Sequence, residues 1–456
     1  MKYQARQIAS ATGGYLLSGD PQAWISGIST DTRTIKEGDL FIALKGDNFD
    51  GHAFIEKALT KGACGAVVME EDTRFPSMIM LVDDTLVALG DIAAWIRNRY
   101  SLSIVGITGS TGKTTVKELC SSILSLQGPC LKTMYNFNNL IGVPSSLFEL
   151  DSNHEFAVIE MGTNRFGEID RLSTITRPTV SILTNINPVH LNGLRNISGI
   201  IKEKQTIFKN TIPSGTAVLD PYQQYMDQVF IPEHLSLKTY SMKEKADITL
   251  KEITYQGLDG SDIIIDLAGT PLPVHVPLPG RHNISNALAA AACAYSLDID
   301  PENIALGIKN AQFPGMRSEI ISLGSISIIN DCYNANPASM KAALEMLLSS
   351  HHGYKVAVLG DMLELGNYAL YWHKELGKWV AQSGINRLVV IGEMANILAE
   401  AALEEGMNNA AVHIARDMED IFRNLSDLVD KNAIVLVKAS RALHLDLVVN
   451  HLKAVA

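Results

Sequence analysis

Cysteine is scarce in this chain and shows no spacing typical of a disulfide framework or a zinc site. Five cysteines occur among 456 residues, an odd number with no C-x-x-C pair: Cys64, Cys120, Cys130, Cys293 and Cys332. Most of them lie among apolar residues. This pattern is typical of reduced thiols inside the cell, so we expect no disulfide and a cytoplasmic location.

Long apolar runs are also missing. The longest run of small, uncharged residues, 287–297, is much shorter than the roughly 20 residues that cross a bilayer as a helix. The first residues, MKYQARQIASATGG, lack the apolar core of a signal peptide. We therefore expect no membrane insertion.

Basic residues are fewer than acidic residues in this chain. The chain carries 38 Lys and Arg against 49 Asp and Glu, which gives a net charge of −11. Because nucleic acids and anionic membranes are bound by basic surfaces, this balance argues against both as partners. An anionic ligand must instead be held by a few local cations and by backbone amides. The hydrophobic fraction of 46% is ordinary for a globular protein and excludes a disordered, collagen-like or coiled-coil chain.

Length and patterning predict three α/β domains. Short apolar strands, including Phe156–Glu160 and Arg387–Ile391, alternate with helical segments, including 200–208 and the alanine-rich Ile284–Tyr295, along the whole chain. The pair Pro314–Gly315 indicates a boundary. We expect domains over 1–100, 101–313 and 314–456. The last should be a Rossmann-like, doubly wound parallel sheet, whereas the alternating pattern of 248–267 predicts some antiparallel strands in the central domain.

The most specific motif is a phosphate-binding loop. A buried strand, Ile104–Ile107, runs into TGSTGKTT and then into a helix. Backbone N–H groups at such a strand-to-helix turn bind phosphate, the loop lysine adds a positive charge, and the following hydroxyl can bind Mg²⁺. The usual form has glycine where this chain has Ile107, so the loop is a shorter variant. Its candidate ATP-binding residues are Gly109, Ser110, Thr111, Gly112, Lys113, Thr114 and Thr115.

Two further polar residues follow predicted strands. Glu160 ends the predicted strand 156–160 after the apolar residues 157–159, and His190 comes shortly after the predicted strand 180–184. At the carboxyl ends of parallel strands beside a phosphate loop, both are placed to bind metal or to position water. A solvated carboxylate and a structural histidine are the alternatives.

Three other residues are ambiguous from the sequence alone. Lys204 lies in a helical segment where a solvated charge would be ordinary. Asn283 and Asn286 open an alanine-rich helix, where they could cap the helix or contact a base.

A family resemblance joins these motifs. The chain resembles the Mur ligases of peptidoglycan synthesis through strings in all three predicted domains: TGSTGKTT, NFNNLIGVP, AVIEMGTNRFGEI, PGRHNISNALAA, NDCYNANPASM, LGDMLELG and VKASRA. The string STDTR at 29–33, together with FIALKG at 41–46, is similar to the family's uridine-nucleotide domain. Where the member that adds the third amino acid has a D-N-P-R-like motif, this chain reads NDCYNANP at 330–337, which favours the member that adds a dipeptide.

The resemblance implies a fold and a reaction. The fold is a small α/β uridine-nucleotide domain, a central phosphate-loop α/β domain that binds ATP, and a Rossmann-like domain that binds the dipeptide and closes on ATP. The reaction is ATP-dependent joining of D-alanyl-D-alanine to UDP-N-acetylmuramoyl-tripeptide through an acyl phosphate. Two Mg²⁺ ions and a monomeric enzyme are implied.

The resemblance also assigns roles to single residues. Catalysis is expected from Lys113, Glu160, His190, Lys204 and Arg317. Metal binding is expected from Thr114, Glu160, His190 and Lys204, where Lys204 matches a lysine that is often carbamylated in the family. ATP contacts beyond the loop are expected from Asn283, Asn286, Arg317 and Asp331. Substrate contacts are expected from Ser29, Thr30, Arg33, Lys45, Gly46, Asn139, Asn334, Asn336, Ser440 and Arg441. Relatives have an acid where this chain has Asn192, which alters the surroundings of the second metal.

Two other functions remain open at this point. A folylpolyglutamate synthase-like ligase would share the loop, the metal residues and the acyl phosphate. A regulatory ATPase with a phosphate loop would hydrolyse nucleotide without an acceptor. The uridine-like first domain argues against the former, and the nucleotide-facing motifs of the third domain argue against the latter.

Overall fold

The computed structural model of the chain describes residues 2–46, 49–71, 77–324, 326–426, 428 and 432–455. Three main sheets follow one another along the chain. None of the helices in these described ranges is long and apolar enough to cross a membrane.

The first region, up to Arg97, is a small α/β unit. Strands β1 to β9 are Tyr3–Gln4, Tyr15–Ser18, Trp24–Ile25, Gly27–Ser29, Asp39–Ile42, Lys45–Gly46, Phe49–Asp50, Gly65–Val68 and Met78–Leu81, and helices α1 to α3 are Ala5–Thr12, Ile55–Thr60 and Thr85–Arg97. The main sheet has the order β2-β9-β8-β5-β4 and is parallel except for β2. Strands β5 and β8 are buried along their whole length, as expected for parallel strands covered on both faces.

The central region contains the largest sheet. Strands β10 to β18 are Ser103–Thr108, Cys130–Lys132, Phe156–Glu160, Val180–Leu183, Thr216–Leu219, Ser236–Ser241, Ile248–Tyr255, Ser261–Leu267 and Thr270–Val276. Helices α4 to α11 are Lys113–Leu124, Gly142–Leu147, Glu168–Thr176, Leu191–Leu194, Ile197–Lys204, Thr206–Lys209, Arg281–Tyr295 and Pro301–Lys309. The order is β11-β12-β10-β13-β14-β15-β16-β17-β18. Strand β10 lies between β12 and β13, so the phosphate loop that follows β10 is flanked by the ends of both neighbours.

The third region is a six-stranded sheet flanked by helices. Strands β19 to β24 are Glu319–Leu323, Ile326–Asn330, Tyr354–Gly360, Arg387–Ile391, Val412–Ile414 and Ala433–Lys438, and helices α12 to α16 are Pro337–Ser349, Ala369–Gln382, Ala395–Glu404, Met418–Leu425 and Asp446–Val455. The order is β19-β20-β24-β21-β22-β23, and only the β19–β20 pair is antiparallel.

The predicted fold class is confirmed, including the antiparallel strands β16 to β18. Two helix predictions differ from the structure. The helix predicted over 200–208 is two helices, α8 and α9, which meet at Gln205. The alanine-rich helix α10 starts three residues before the predicted Ile284 because the polar residues that open it conceal its first turn from an apolar pattern. The domain limits at residues 100 and 313 stay predictions.

The first and central regions are joined through buried arginine contacts. The Arg97 side chain donates from Nε to Thr176 O at 2.7 Å and from Nη2 to Arg177 O at 3.1 Å. Arg171 pairs with Asp91 at 2.6 Å across the same boundary. These contacts fix the first region beside the sheet that carries the phosphate loop.

Candidate active site

Two glycines shape the phosphate loop. Gly109 has φ +152°, and a Cβ there would lie 1.9 Å from Thr184 Oγ1. Gly112 has φ +79° at the N-cap of α4, and a Cβ there would lie 2.4 Å from Asn286 Oδ1. Both positions therefore require glycine, which leaves the backbone of the turn open to a ligand.

The loop is also braced by the segment after β13. Thr184 Oγ1 donates to Thr111 O at 2.6 Å, and Asn185 Oδ1 accepts from Thr111 N at 2.9 Å. The backbone N–H of Asn187 donates to Ser110 Oγ at 2.8 Å. These side-chain contacts hold the loop in one conformation before a nucleotide enters.

Two lysines share one carbonyl of the loop. Lys113 Nζ and Lys204 Nζ donate to Gly109 O at 2.9 Å and 3.0 Å. Lys204 is 1% exposed, so it is not a solvated helix charge. Burial lowers the pKa of Lys113, and burial followed by the charge of Lys113 holds the pKa of Lys204 well below its ordinary value. Burial and the neighbouring positive charge therefore favour the neutral amine on Lys204.

Glu160 is buried at the end of β12 and bonded to the loop. Thr114 Oγ1 donates to Glu160 Oε2 at 2.8 Å, and Asn138 Nδ2 donates to Glu160 Oε1 at 2.8 Å. Lys117 Nζ lies 3.9 Å from Glu160 Oε2. A solvated carboxylate is therefore excluded. The Thr114 hydroxyl and the Glu160 carboxylate offer hard oxygen donors that fit Mg²⁺.

The protein donors alone do not complete a metal site. Within the described ranges, no group of three or more His, Cys, Asp and Glu side chains could hold a metal ion. Mg²⁺ commonly keeps several waters and binds through one or two protein groups plus substrate phosphates. The donor set therefore fits a metal that arrives with a nucleotide.

His190 lies at the boundary between the central and third regions. Its Nδ1 is 2.5 Å from Glu364 Oε2. Burial lowers the pKa of His190, whereas the hydrogen bond from the imidazole lowers the pKa of Glu364. The predicted metal ligand is thus held by a carboxylate of the other region.

A cavity of about 1210 Å³ joins these groups. Residues of the central and third regions line it, including residues 110–115, Asn138, Asn139, Glu160, His190, Asn283, Asn286, Arg317, Asp331, Asn334 and Asn336. Gly109 and Lys204 are not among its lining residues. The structure therefore brings most predicted ATP and metal residues around one space.

Asn283 and Asn286 lie on the wall formed by α10. Asn283 Nδ2 donates to Pro279 O at 2.8 Å, and Asn286 Nδ2 donates to Asn283 Oδ1 at 3.2 Å. The N-cap of α10 is Gly280, so the capping alternative is wrong. Burial lowers the pKa of the neighbouring His282 to about 4, which keeps its imidazole neutral at pH 7.

The third region adds two charged residues to the cavity. The Arg317 guanidinium stacks on Tyr333, 3.7 Å from the ring centroid. Asp331 accepts from Ser318 N at 2.9 Å and from Lys438 Nζ at 2.5 Å. Asp331 is thereby fixed at the end of β20.

Comparison with known proteins identifies the family of this chain. Three family models match the chain: "Mur ligase family, catalytic domain" over 24–94, "Mur ligase middle domain" over 107–294 and "Mur ligase, glutamate ligase domain" over 316–441. A Bacillus subtilis protein named UDP-N-acetylmuramoyl-tripeptide–D-alanyl-D-alanine ligase is 35% identical over 458 residues, which cover 99% of this chain and 98% of that protein. The chain belongs to the Mur ligase family.

Solved structures agree with this assignment. A crystal structure of MurF from Acinetobacter baumannii has a TM-score of 0.92 and 33% identity to this Mur ligase, over 100% of this chain and 99% of that one. The MurF ligase of Thermotoga maritima in complex with ADP has a TM-score of 0.84 and 26% identity, over 94% and 97% of the two chains.

The residues expected near the dipeptide fall into two groups in this Mur ligase. Asn334 and Asn336 line the main cavity, whereas Ser440 and Arg441 line an adjoining cavity of about 550 Å³ that Asn334 shares. Asn336 Oδ1 accepts from Ser339 N at 2.9 Å and caps α12. Arg441 Nη1 is 3.0 Å from Asp446 Oδ1.

The residues expected in the uridine site lie apart from both cavities. Ser29, Thr30, Arg33, Lys45 and Gly46 are absent from the lining of either. Arg33 pairs with Asp31 at 2.6 Å. Lys45 lies 3.8 Å from both Asp50 and Glu70. In the main cavity, Asn139 Oδ1 accepts from Gly142 N at 2.8 Å and from Ile141 N at 3.1 Å.

Sequence reasoning missed three charged residues at the site. Lys117 is fully buried between Glu160 and Glu118, and Lys438 is buried against Asp331. Lys438 could have been found from the sequence, because it ends the apolar run AIVLVK and a buried lysine is usually paired. Glu364 lies in the string LGDMLELG, but the string does not indicate its partner, because His190 belongs to another region.

Proposed function

We propose that this Mur ligase joins D-alanyl-D-alanine to UDP-N-acetylmuramoyl-tripeptide with conversion of ATP to ADP and phosphate, in the cytoplasmic synthesis of peptidoglycan precursors. The names of its full-length relatives support the substrates, and the ADP complex of the Thermotoga maritima ligase supports the nucleotide. The observation that carries the proposal is the shared cavity. It combines the phosphate loop of the central region with Arg317 and Asp331 of the third.

The reaction begins with activation of a carboxylate. A carboxylate does not acylate an amine at pH 7 because oxide or hydroxide would have to leave. An oxygen of the tripeptide's terminal carboxylate therefore attacks the γ-phosphorus of ATP, the bond to the β-phosphate oxygen breaks, and ADP leaves. The product is an acyl phosphate. Lys113 and Arg317 stabilise negative charge on the transferred phosphoryl group by position and electrostatics.

The second step forms the amide. The free amine of D-alanyl-D-alanine attacks the carbonyl carbon, a tetrahedral intermediate forms, the C–O bond to phosphate breaks, and the nitrogen loses its extra proton. An α-amino group with a pKa of about 7.7–8.0 is roughly one-tenth neutral at pH 7. The reaction therefore needs orientation of the amine more than a strong base.

Thr114 and Glu160 are the proposed ligands of one Mg²⁺, and His190 and a carbamylated Lys204 are the proposed ligands of a second. When bound, the ions neutralise charge on the phosphates. Lys204 suits carbamylation because its buried amine favours the neutral form that reacts with CO₂. The carbamate would place an anion beside the Lys113 cation.

Each of the three regions contributes residues to the binding of the other two substrates. The first region, 1–100, binds the uridine nucleotide through Ser29, Thr30, Arg33, Lys45 and Gly46. Asn139, in the central region 101–313, binds the muramoyl peptide. The third region, 314–456, binds the dipeptide through Asn334, Asn336, Ser440 and Arg441. The cavity shared by Asn334 and Arg317 supports this division because it would place the amine next to the transferred phosphate.

Substitution of the loop lysine tests the proposal. We expect Lys113→Ala to lower ADP formation and ligation together by at least about 100-fold, because it removes a cation aimed at the phosphates. The control is Lys251→Ala, which removes an exposed lysine paired with Asp266 on the antiparallel strands. Turnover near the wild-type value in Lys113→Ala would contradict the phosphate-loop mechanism.

A further inference from the structure

The contact between His190 and Glu364 joins the central region to the third region. His190 Nδ1 lies 2.5 Å from Glu364 Oε2, and Asn192 N donates to Glu364 O at 3.4 Å. In the part of the chain that the structure describes, the two hydrogen bonds between the central and third regions both end on Glu364. The side chain and the backbone of one residue therefore hold the turn that presents His190.

Both residues of this contact have an unusual backbone conformation. His190 has φ +51° and Glu364 has φ +63°, a left-handed conformation that is uncommon for residues other than glycine. Such conformations persist when surrounding contacts hold them, and they concentrate at functional sites. A Cβ on the neighbouring Gly366 would lie 2.6 Å from Asn192 Oδ1, so the two turns pack closely.

The hydrogen bond to Glu364 determines which imidazole nitrogen of His190 is free to bind a metal. When Nδ1–H donates to a carboxylate, Nε2 carries the free lone pair and the ring orientation is fixed. Histidines that bind metals commonly donate their other N–H in this way, and loss of the acceptor weakens metal binding about 10–100-fold. Both His190 and Glu364 line the main cavity.

We propose that Glu364 is a positioning residue that holds His190 as a metal ligand and thereby couples metal affinity to contact between the third and central regions. The inference rests on the proposed function, which assigns His190 to metal. Glu364 belongs to the region that supplies Arg317 and Asp331. Metal is therefore bound tightly only when those nucleotide-facing residues are in place.

Mn²⁺ binding measures the proposed effect without ligation. We expect Glu364→Ala to weaken Mn²⁺ binding in the presence of ADP at least tenfold, measured by electron paramagnetic resonance of free Mn²⁺, with Glu364→Gln weakened less because its amide oxygen still accepts the N–H. Asp262→Asn is the matched control, since it alters another His–carboxylate pair, His275 Nδ1 to Asp262 Oδ1 at 2.8 Å, on strands β17 and β18.

A double-mutant cycle makes the test specific. Glu364→Ala should add little to the Mn²⁺ loss in a His190→Ala background, because its effect passes through the imidazole. An unchanged Mn²⁺ affinity in Glu364→Ala, or equal additional losses in both backgrounds, would overturn the proposal. Wild-type ADP release that does not depend on D-alanyl-D-alanine would instead overturn the proposed function, so the two failures are distinguishable.

Discussion

At the scale of single residues, burial changes the chemistry of Lys204. Its amine sits 3.0 Å from Gly109 O, where Lys113 already donates, and both burial and that neighbouring charge oppose a proton. A free ammonium at this place would also repel Mg²⁺. The sequence could not show this because the helical segment that carries Lys204 has an ordinary pattern. Its burial depends on the sheet around it.

Chemical rescue tests the carbamate on Lys204. We expect Lys204→Ala to lose most ligation activity, about 100-fold, and acetate to restore part of it by occupying the anion position. Initial rates of ADP release with and without acetate provide the measurement, with methylammonium as the matched additive. Rescue by methylammonium alone would show that Lys204 acts as an ammonium. Wild-type turnover in Lys204→Ala would contradict both roles.

At the scale of helices and strands, local pattern predicted much of the fold. Strands β12 and β22 were predicted with the limits that the structure has, Phe156–Glu160 and Arg387–Ile391. Both are continuous apolar runs in parallel sheets, where burial on two faces leaves a strong signal. The start of α10 was placed too late because its first residues face the cavity and are polar.

Helix α12 is capped by a residue that is also a proposed substrate contact, Asn336. Asn336 accepts from Ser339 N, and Pro337 occupies the first turn. We expect Asn336→Ala to lower the free energy of unfolding by about 1 kcal/mol, because the capping bond is lost. Thermal or urea unfolding gives this value.

The variant Asn336→Asp separates the two roles of this residue. Aspartate caps helices as well as asparagine does, so stability should return to that of the wild type. If Asn336 also binds the dipeptide, the KM for D-alanyl-D-alanine should still rise in Asn336→Asp. An unchanged KM would leave Asn336 with the capping role alone.

At the scale of the whole molecule, the site is assembled from distant parts of the chain. His190 and Glu364 are 174 residues apart, and Asp331 and Lys438 are 107 residues apart. No spacing rule relates such pairs, so the loop, Glu160 and His190 could be proposed from sequence, whereas Glu364 and Lys438 could not. Family resemblance supplied Arg317 and Asp331, and the structure places both at the cavity.

Closure of the third region on the nucleotide is tested at Arg317. We expect Arg317→Ala to raise the KM for ATP and lower kcat together, roughly tenfold each, because this guanidinium reaches the phosphates only from the third region. Steady-state kinetics over ATP concentration measure both constants. Arg387→Lys, on β22 away from the cavities, is the control. Unchanged constants in Arg317→Ala would mean that the third region does not deliver this side chain.

The central claim is that ATP is consumed to join a dipeptide to a nucleotide-linked tripeptide. The most direct measurement is the rate of ADP release with ATP and Mg²⁺ alone, after addition of UDP-N-acetylmuramoyl-tripeptide, and after further addition of D-alanyl-D-alanine. The account predicts sustained release only with both substrates, and one ligated product per ADP. Release with ATP alone would indicate a regulatory ATPase, and release driven by a folate and glutamate would indicate a folylpolyglutamate synthase-like ligase; either result would contradict the account.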